Sequence, residues 1–166
     1  DVLINCATSK LINNSFEETD FSDYQKQFDV NIKSNYLLVK AVLPYMKKNN
    51  FGKIIFINSL FSENVPPKGW SSYVTAKSAL TGLMKSLSIE LSKYNICVNA
   101  VSPGMTETDL LIGIPEKAKL LLKAKIPLAR LASTKDVSNA IAFLVSNKSS
   151  YITGETLRIN GGQSML

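Results

Sequence analysis

The chain has 166 residues, 45% hydrophobic and 19% charged, which suits one globular domain with a real core and excludes a disordered or fibrous chain. Its net charge of +6 comes from scattered lysines without an arginine stripe and interleaved aromatics, so nucleic acid is not an expected partner; a solvated basic surface, an acidic partner or an anionic cofactor are the readings left. There is no histidine, which removes His-based triads, bases and metal sites, and no apolar run reaches the length of a membrane span, so no metal and no membrane are expected and the expected location is cytoplasmic.

Residues 1–7, Asp-Val-Leu-Ile-Asn-Cys-Ala, read as a short buried strand. A long helix follows over about residues 23–48, with Phe28, Ile32, Tyr36, Val39, Val42 and Leu43 at helical spacing and Pro44 placed to kink its last turns. Phe51-Gly52 turns the chain into residues 53–57, a continuous apolar strand of the kind covered on both faces in a parallel sheet. Residues 64–70 form a loop with Pro66-Pro67 and Gly69, after which Ser71 or Ser72 caps a helix to about Tyr94. Residues 96–101 read as a third strand, broken by Ser102-Pro103-Gly104. Residues 110–124 are helical in character but interrupted by Gly113 and Pro115, which predicts a mobile segment. Ser133 and Asp136 have capping-box spacing and open a helix to about Val145; residues 156–160 form a last strand that ends at Gly161-Gly162. Strands that alternate with helices predict an α/β fold, a parallel sheet with helices on both faces. Cys6 and Cys97 fall in strand-like runs and are expected as buried, reduced thiols.

The chemistry concentrates around Ser59, at the end of the second strand, and the pair Tyr73 and Lys77. Four residues apart on a helix, Tyr73 and Lys77 point into the same space. A free tyrosine has a pKa near 10, and lowering it to about 7 takes roughly 4 kcal/mol. An ammonium about 5 Å away at an effective dielectric of about 20 supplies about 3 kcal/mol. Such a tyrosine can act as general acid towards a carbonyl or as base towards an alcohol, with a serine hydroxyl to orient the same oxygen. The hydride must come from a cofactor, because no side chain supplies one. Tyr36 and Lys40 repeat the spacing, but within the long helix and without a strand-end serine, so they read as helix surface or packing.

These motifs, in order Leu3-Ile4-Asn5-Cys6-Ala7, Asn31, Ile57-Asn58-Ser59, Tyr73-x-x-x-Lys77, the run from Val98 through Asn99 to Pro103-Gly104, and Tyr151-Ile152-Thr153-Gly154 leading to Asn160-Gly161-Gly162, resemble the C-terminal two-thirds of a short-chain dehydrogenase/reductase. Within that family the chain is most similar to the 3-oxoacyl-acyl-carrier-protein reductases. The resemblance implies a Rossmann-like doubly wound parallel sheet, its C-terminal portion only, with about four strands. Residues 1–166 would then be a single partial domain with the catalytic and substrate-lid regions, lacking the glycine-rich half that grasps the cofactor. It further implies that Tyr73 is the acid/base, that Lys77 lowers its pKa and bonds the nicotinamide ribose, that Ser59 polarises the substrate carbonyl and that Asn31 holds the water of a proton relay. Cofactor contacts are implied at Asn5, Ala7, Tyr73, Lys77, Pro103, Gly104, Thr106 and Thr108, and a substrate lid at residues 106–125. The cofactor would be NADP or NAD, with NADPH favoured by the resemblance alone.

Some positions depart from the family. Its Asn-Asn-Ala-Gly becomes Asn5-Cys6-Ala7-Thr8. The two positions that dock an acidic carrier correspond to Asn50 and Tyr94, with Lys47, Lys48 and Lys93 adjacent as substitutes. The family's sheet order leaves the opening strand as an exposed edge with Val2, Leu3 and Ile4, and separates Cys6 from Cys97 by about 10 Å, too far for a disulfide. The expectation is therefore a chain that belongs to a longer protein or packs against one, and that binds cofactor poorly alone because the pyrophosphate lacks its helix N-terminus. The implied activity is NAD(P)H-dependent reduction of a small or carrier-tethered carbonyl substrate, a 3-oxoacyl thioester first. A dehydrogenase of another secondary alcohol, such as a sugar alcohol or steroid, and a non-catalytic fragment acting through oligomer contacts are the alternatives. A homo-oligomer, dimer or tetramer, is the expected assembly.

Overall fold

A computed structural model of the chain describes residues 1–108 and 116–165. Among them, four strands form one sheet in the order β1-β2-β3-β4, all parallel: β1 (Val2–Asn5), β2 (Gly52–Ile57), β3 (Ile96–Pro103) and β4 (Thr156–Ile159). The helices are α1 (Phe21–Phe28), α2 (Ser34–Asn49), α3 (Ser71–Leu91), α4 (Glu116–Ala124) and α5 (Thr134–Val145). This is the expected Rossmann-like α/β architecture.

The apolar run of β2 explains the layering. Successive side chains of a strand face opposite ways. Ile54 and Phe56 point to one face, where Val39 and Met46 of α2 and Leu80, Met84 and Leu91 of α3 bury them. Ile55 and Ile57 point to the other, where Val137, Ile141 and Leu144 of α5 cover them. A strand covered on both sides needs apolar residues at every position, hence the lack of alternation. One exception, Lys53, is only 2% exposed; its ammonium donates to the Ser149 carbonyl at 3.2 Å.

Several boundaries differ from the sequence expectation. The opening strand is four residues long and lies at the sheet edge, with Val2 and Ile4 46% and 40% exposed, so it is not a buried strand. Cys6, just beyond it, is exposed rather than buried, while Cys97 in β3 is buried; both are free thiols. The helix expected over residues 23–48 starts earlier, at Phe21, and is interrupted by a π turn, Asp29–Lys33, between α1 and α2. The third helix is capped by Trp70, with Ser71 and Ser72 already inside it, and gives way at Leu91 to a one-turn 3-10 segment, Ser92–Tyr94. The third strand is not broken at Ser102 but runs through Pro103. Pro103 can end it because β2 has already left the sheet beyond the Ile57–Val101 pair, so the missing N–H faces no partner strand, while Gly104 N donates to Ile159 O at 3.0 Å. The apolar segment 110–114 and the interruption at Gly113 and Pro115 lie outside the described residues; α4 follows them.

Two sequence motifs turn out to hold one another. Asn99, fully buried, donates to Ile152 O at 2.8 Å and accepts from Glu155 N at 3.0 Å. Thr153 Oγ1 accepts from Val98 N, and Gly154 N donates to Val98 O. Gly154 has φ +78° and its Cα faces Ser88, so a Cβ there would be both strained and 3.0 Å from the Ser88 hydroxyl.

The capping box at α5 forms as expected: Ser133 Oγ accepts from Asp136 N at 3.1 Å and the Asp136 carboxylate accepts from Ser133 N at 2.7 Å. Arg130, bonded to that carboxylate, and then Ser133 hold the Asp136 carboxyl well below the usual carboxylate range. A depressed carboxyl stabilises the fold above its unfolded pKa, and that contribution is lost as pH falls through the folded value. Ser133→Ala is expected to lower stability by about 1 kcal/mol at neutral pH. Urea denaturation checks it: the midpoint falls with an unchanged slope.

Candidate active site

The candidate residues gather at the C-terminal ends of the strands, where an open parallel sheet leaves backbone groups unpaired. The β2–β3 ladder ends at Ile57↔Val101. Asn58 N still donates to Val101 O at 2.8 Å, and the chain then leaves the sheet. Ser59 follows in extended backbone, 5% exposed, and its Oγ accepts from Phe61 N at 3.3 Å to cap the single 3-10 turn Leu60–Ser62. Asn58 locks this corner: its Nδ2 donates to Thr81 Oγ1 on α3 at 2.6 Å, and its Oδ1 accepts from Ser62 Oγ at 3.1 Å.

Tyr73 and Lys77 occupy the first turns of α3. Lys77 is 3% exposed; its Nζ donates to Ile57 O, the last carbonyl of β2, at 2.7 Å and lies 5.7 Å from the Tyr73 ring centroid. The Tyr73 ring meets Trp70 edge-on at 5.9 Å, and Trp70 in turn meets Phe61 at 5.3 Å. Strand end, serine turn and helix start are thus packed as one unit.

Within this unit the balance of charges differs from the expectation that Lys77 lowers the Tyr73 pKa. Burial raises the phenol above its ordinary value, and the neighbouring Ser59 hydroxyl offsets only part of that. Burial also pulls the Lys77 ammonium down, to about 8, opposed in smaller measure by Cys6 at the end of β1. Desolvation penalises the charged form of each group.

Asn31 lies in the π turn, 1% exposed. Its Nδ2 donates to Gln27 O and Gln27 Oε1, while its Oδ1 is buried without a partner among the described residues. Asn35 Nδ2 donates to Asn31 O, and Asn5 Nδ2 donates to Asn35 Oδ1 at 3.1 Å. Gln27, Asn31 and Asn35 make a polar ladder at i, i+4 spacing that ties the end of β1 to the helix. The expected cofactor residue Asn5 therefore has its side chain committed inside the protein, its Oδ1 accepting from Ala7 N at 3.0 Å. Gln27, Asn35 and Thr81 are absent from the sequence expectation, and Asn58 enters it only within the Ile57-Asn58-Ser59 motif, without a role. The signal available for the first two was polar residues every four positions on a helix with apolar neighbours.

Beyond β3, Gly104 packs against Asn160, where an added Cβ would come within 3.1 Å of its Cα. Thr106 Oγ1 donates to Gly104 O at 3.0 Å, and Glu107 N donates to Ala132 O. Thr108 is exposed. A cleft of about 480 Å³ opens here between Gly104-Met105, residues 126–128 and the end of β4; Ser59, Tyr73 and Lys77 do not line it. The structure thus brings Ser59, Tyr73 and Lys77 together, and places Pro103, Gly104 and Thr106 at the next strand end along the same edge. Tyr36 and Lys40, the second spacing match, lie on the outer side of α2 with Tyr36 48% exposed. Among the described residues no helix is long and apolar enough to cross a membrane.

Residues 1–164 match the family model described as enoyl-(acyl carrier protein) reductase. The chain belongs to the short-chain dehydrogenase/reductase family. It is 40% identical over 144 residues to the 3-oxoacyl-[acyl-carrier-protein] reductase FabG of Rickettsia felis, covering 87% of this chain and 59% of the relative. To the enzyme of the same name from Escherichia coli (strain K12) it is 36% identical over 166 residues, 100% of this chain and 67% of the relative. Among solved structures, a gluconate 5-dehydrogenase from Burkholderia cenocepacia, in complex with NADP and tartrate, superposes with a TM-score of 0.92 at 27% identity, over 98% of this chain and 64% of that one. The chain spans about three fifths of the length of the Rickettsia relative.

The lowered Lys77 pKa has a measurable consequence. The unfolded lysine keeps its proton up to about 10.5, the folded one only to about 8, so the unfolded state binds more protons between these values. The stability of the wild type relative to Lys77→Met is therefore expected to rise with pH across that window and to be flat below it. Paired denaturant titrations from pH 7 to 10.5 check this, and a difference that stays constant would show an unperturbed lysine.

Proposed function

We propose that the protein is an NAD(P)H-dependent carbonyl reductase that converts 3-oxoacyl thioesters to 3-hydroxyacyl thioesters, with residues 1–166 as a single partial domain that holds the reacting groups. The observation that carries this reading is the meeting of the Tyr73 phenol with the Ser59 hydroxyl beside Lys77, whose Nζ is anchored on Ile57 O at the end of β2. In that setting the phenol can pass its proton to a carbonyl oxygen, the more readily the closer neighbouring charge brings its pKa to the working pH.

In this reading Ser59 donates its hydroxyl hydrogen towards the substrate carbonyl and fixes its direction. Tyr73 donates its phenolic proton to the same oxygen as negative charge develops there. Lys77 uses one of its three donors on Ile57 O, and the other two are available for a ribose hydroxyl and a water. Asn31 accepts a hydrogen bond from that water at Oδ1, the buried oxygen without a partner among the described residues, and so replenishes the proton on Tyr73 through Lys77. This unsatisfied oxygen and the spare lysine donors fit a bound dinucleotide, held further by Ala7, Pro103, Gly104, Thr106 and Thr108, and by Asn5 through its backbone. When bound, NADPH or NADH supplies the hydride. The names of the curated relatives, 3-oxoacyl-[acyl-carrier-protein] reductases, support the acyl thioester, and the NADP of the solved relative supports the phosphorylated cofactor. A sugar-alcohol dehydrogenase is the second reading, supported by the gluconate 5-dehydrogenase that superposes on 98% of the chain. The outer faces of α2 and α3, with Tyr36, Leu37, Tyr45 and Ile89 exposed, suit the helix pairing of a homo-oligomer, and the proposed location is the cytoplasm.

The full-length protein is expected to oxidise NADPH with a 3-oxoacyl thioester and to leave gluconate unchanged. Tyr73→Phe is expected to lower kcat by roughly 10²- to 10⁴-fold with little change in KM, the range for a lost general acid. Ketone reduction that survives this substitution would remove Tyr73 from the chemistry.

A further inference from the structure

Ser59 is held in place by a turn, and the turn is anchored on two sides. One anchor is α3, through Asn58 to Thr81 and through Ser78 Oγ, which donates to Ser62 O at 3.5 Å. The other comes from the opposite direction. Arg158, on β4 in register with Ser102, donates through Nε to Glu63 Oε2 at 2.7 Å. Glu63 closes the turn, its own N–H bonded to Leu60 O at 3.1 Å. The side chains of Glu63 and Arg158 are 13% and 35% exposed, so the carboxylate is the sheltered partner and the guanidinium reaches it from the solvent side. The second carboxylate oxygen, Oε1, is buried without a partner among the described residues. Arg158 is thus what keeps a largely buried carboxylate in place beside the turn.

We propose that the Glu63–Arg158 ion pair is a positioning pair that holds the Leu60–Ser62 turn, and with it the Ser59 hydroxyl, at the depth the reaction needs. The inference rests on the reading of Ser59 as the group that orients the carbonyl. Removing Arg158 alone leaves a buried charge uncompensated, which is worse than removing both partners. The carboxylate then moves towards water and carries the turn with it. Removing both charges leaves the turn on its α3 anchor.

Trp70, the one tryptophan among residues 1–166, reports the turn without any turnover, because Phe61 of the turn meets its ring edge-on at 5.3 Å; its signal is the emission that Trp70→Phe removes. The test compares the full-length wild type with Arg158→Gln, Glu63→Gln/Arg158→Gln and Arg158→Lys. Arg158→Gln is expected to shift Trp70 emission to longer wavelength and to lower kcat for ketone reduction roughly tenfold, with KM within about twofold, as for a misplaced orienting group. The double variant recovers most of both readouts, and Arg158→Lys retains them. Should Arg158→Gln fail to fold, folding and wild-type emission in the double variant give the same answer. Unchanged Trp70 emission in folded Arg158→Gln overturns the proposal, and so does a shift that leaves the kcat of an active wild type untouched. A wild type without turnover, whose emission still shifts in Arg158→Gln, defeats the proposed reductase while the hold of the pair on the turn stands.

Discussion

The parallel pairing of β2 with β3 is the constraint on which the rest depends. Six residue pairs run in register from Gly52↔Ile96 to Ile57↔Val101, and almost every side chain on both strands is buried. On its other side β2 outruns β1, whose pairing ends at Asn5↔Phe56, so the carbonyl of Ile57 faces no ladder partner. Lys77 takes that carbonyl, which fixes the start of α3 against the strand end, and Asn58 fixes it a second time through Thr81. The distance between Ser59 and Tyr73 is therefore a property of the sheet. Shortening β2 by a residue would turn Ile57 and Ser59 together to the other face and undo both anchors.

Electrostatics at this strand end are governed by dehydration more than by attraction. Lys77 and Tyr73 lie close enough to interact, yet both are displaced towards their neutral forms, the phenol upward and the ammonium to about 8. In the fold the ammonium is directed at a backbone carbonyl and lies 5.7 Å from the ring. Burying a charge costs more than one such contact returns.

The layering and the Ser59–Tyr73–Lys77 cluster were legible in the sequence, because each leaves a local trace. Continuous apolar runs mark doubly covered strands, and i, i+4 spacing marks a shared helix face. What was not legible depends on partners far along the chain. The exposure of Cys6 follows from β1 lying at the edge of the sheet, and the extension of β3 through Pro103 follows from β2 having ended two pairs earlier. The π turn at Asp29–Lys33 has no recognisable residue pattern; it is set by where Gln27, Asn31 and Asn35 must reach. Glu63 and Arg158 read as ordinary surface charges, since nothing local reveals that β4 returns beside the serine turn.

The buried amides show how the fold tolerates polar residues where the chemistry needs them. A buried side-chain amide is expensive unless each of its groups is bonded. Asn99, Asn58 and Asn5 meet that condition through backbone or side-chain partners, and each joins two elements that are distant in sequence. They are stabilising because they are satisfied, and much of the motif surrounding the reacting groups is explained by this bracing. Asn31 is different. Its amide nitrogen is bonded twice and its oxygen is not, in a π turn that costs regular helix geometry to maintain. Stability alone would favour an apolar residue and an unbroken helix at this position. What Asn31 does contribute is a link: its amide nitrogen reaches back to Gln27 and its carbonyl takes Asn35, whose own oxygen holds Asn5 at the end of β1, so the irregular turn joins helix and strand at the expense of one unpaired oxygen among the described residues.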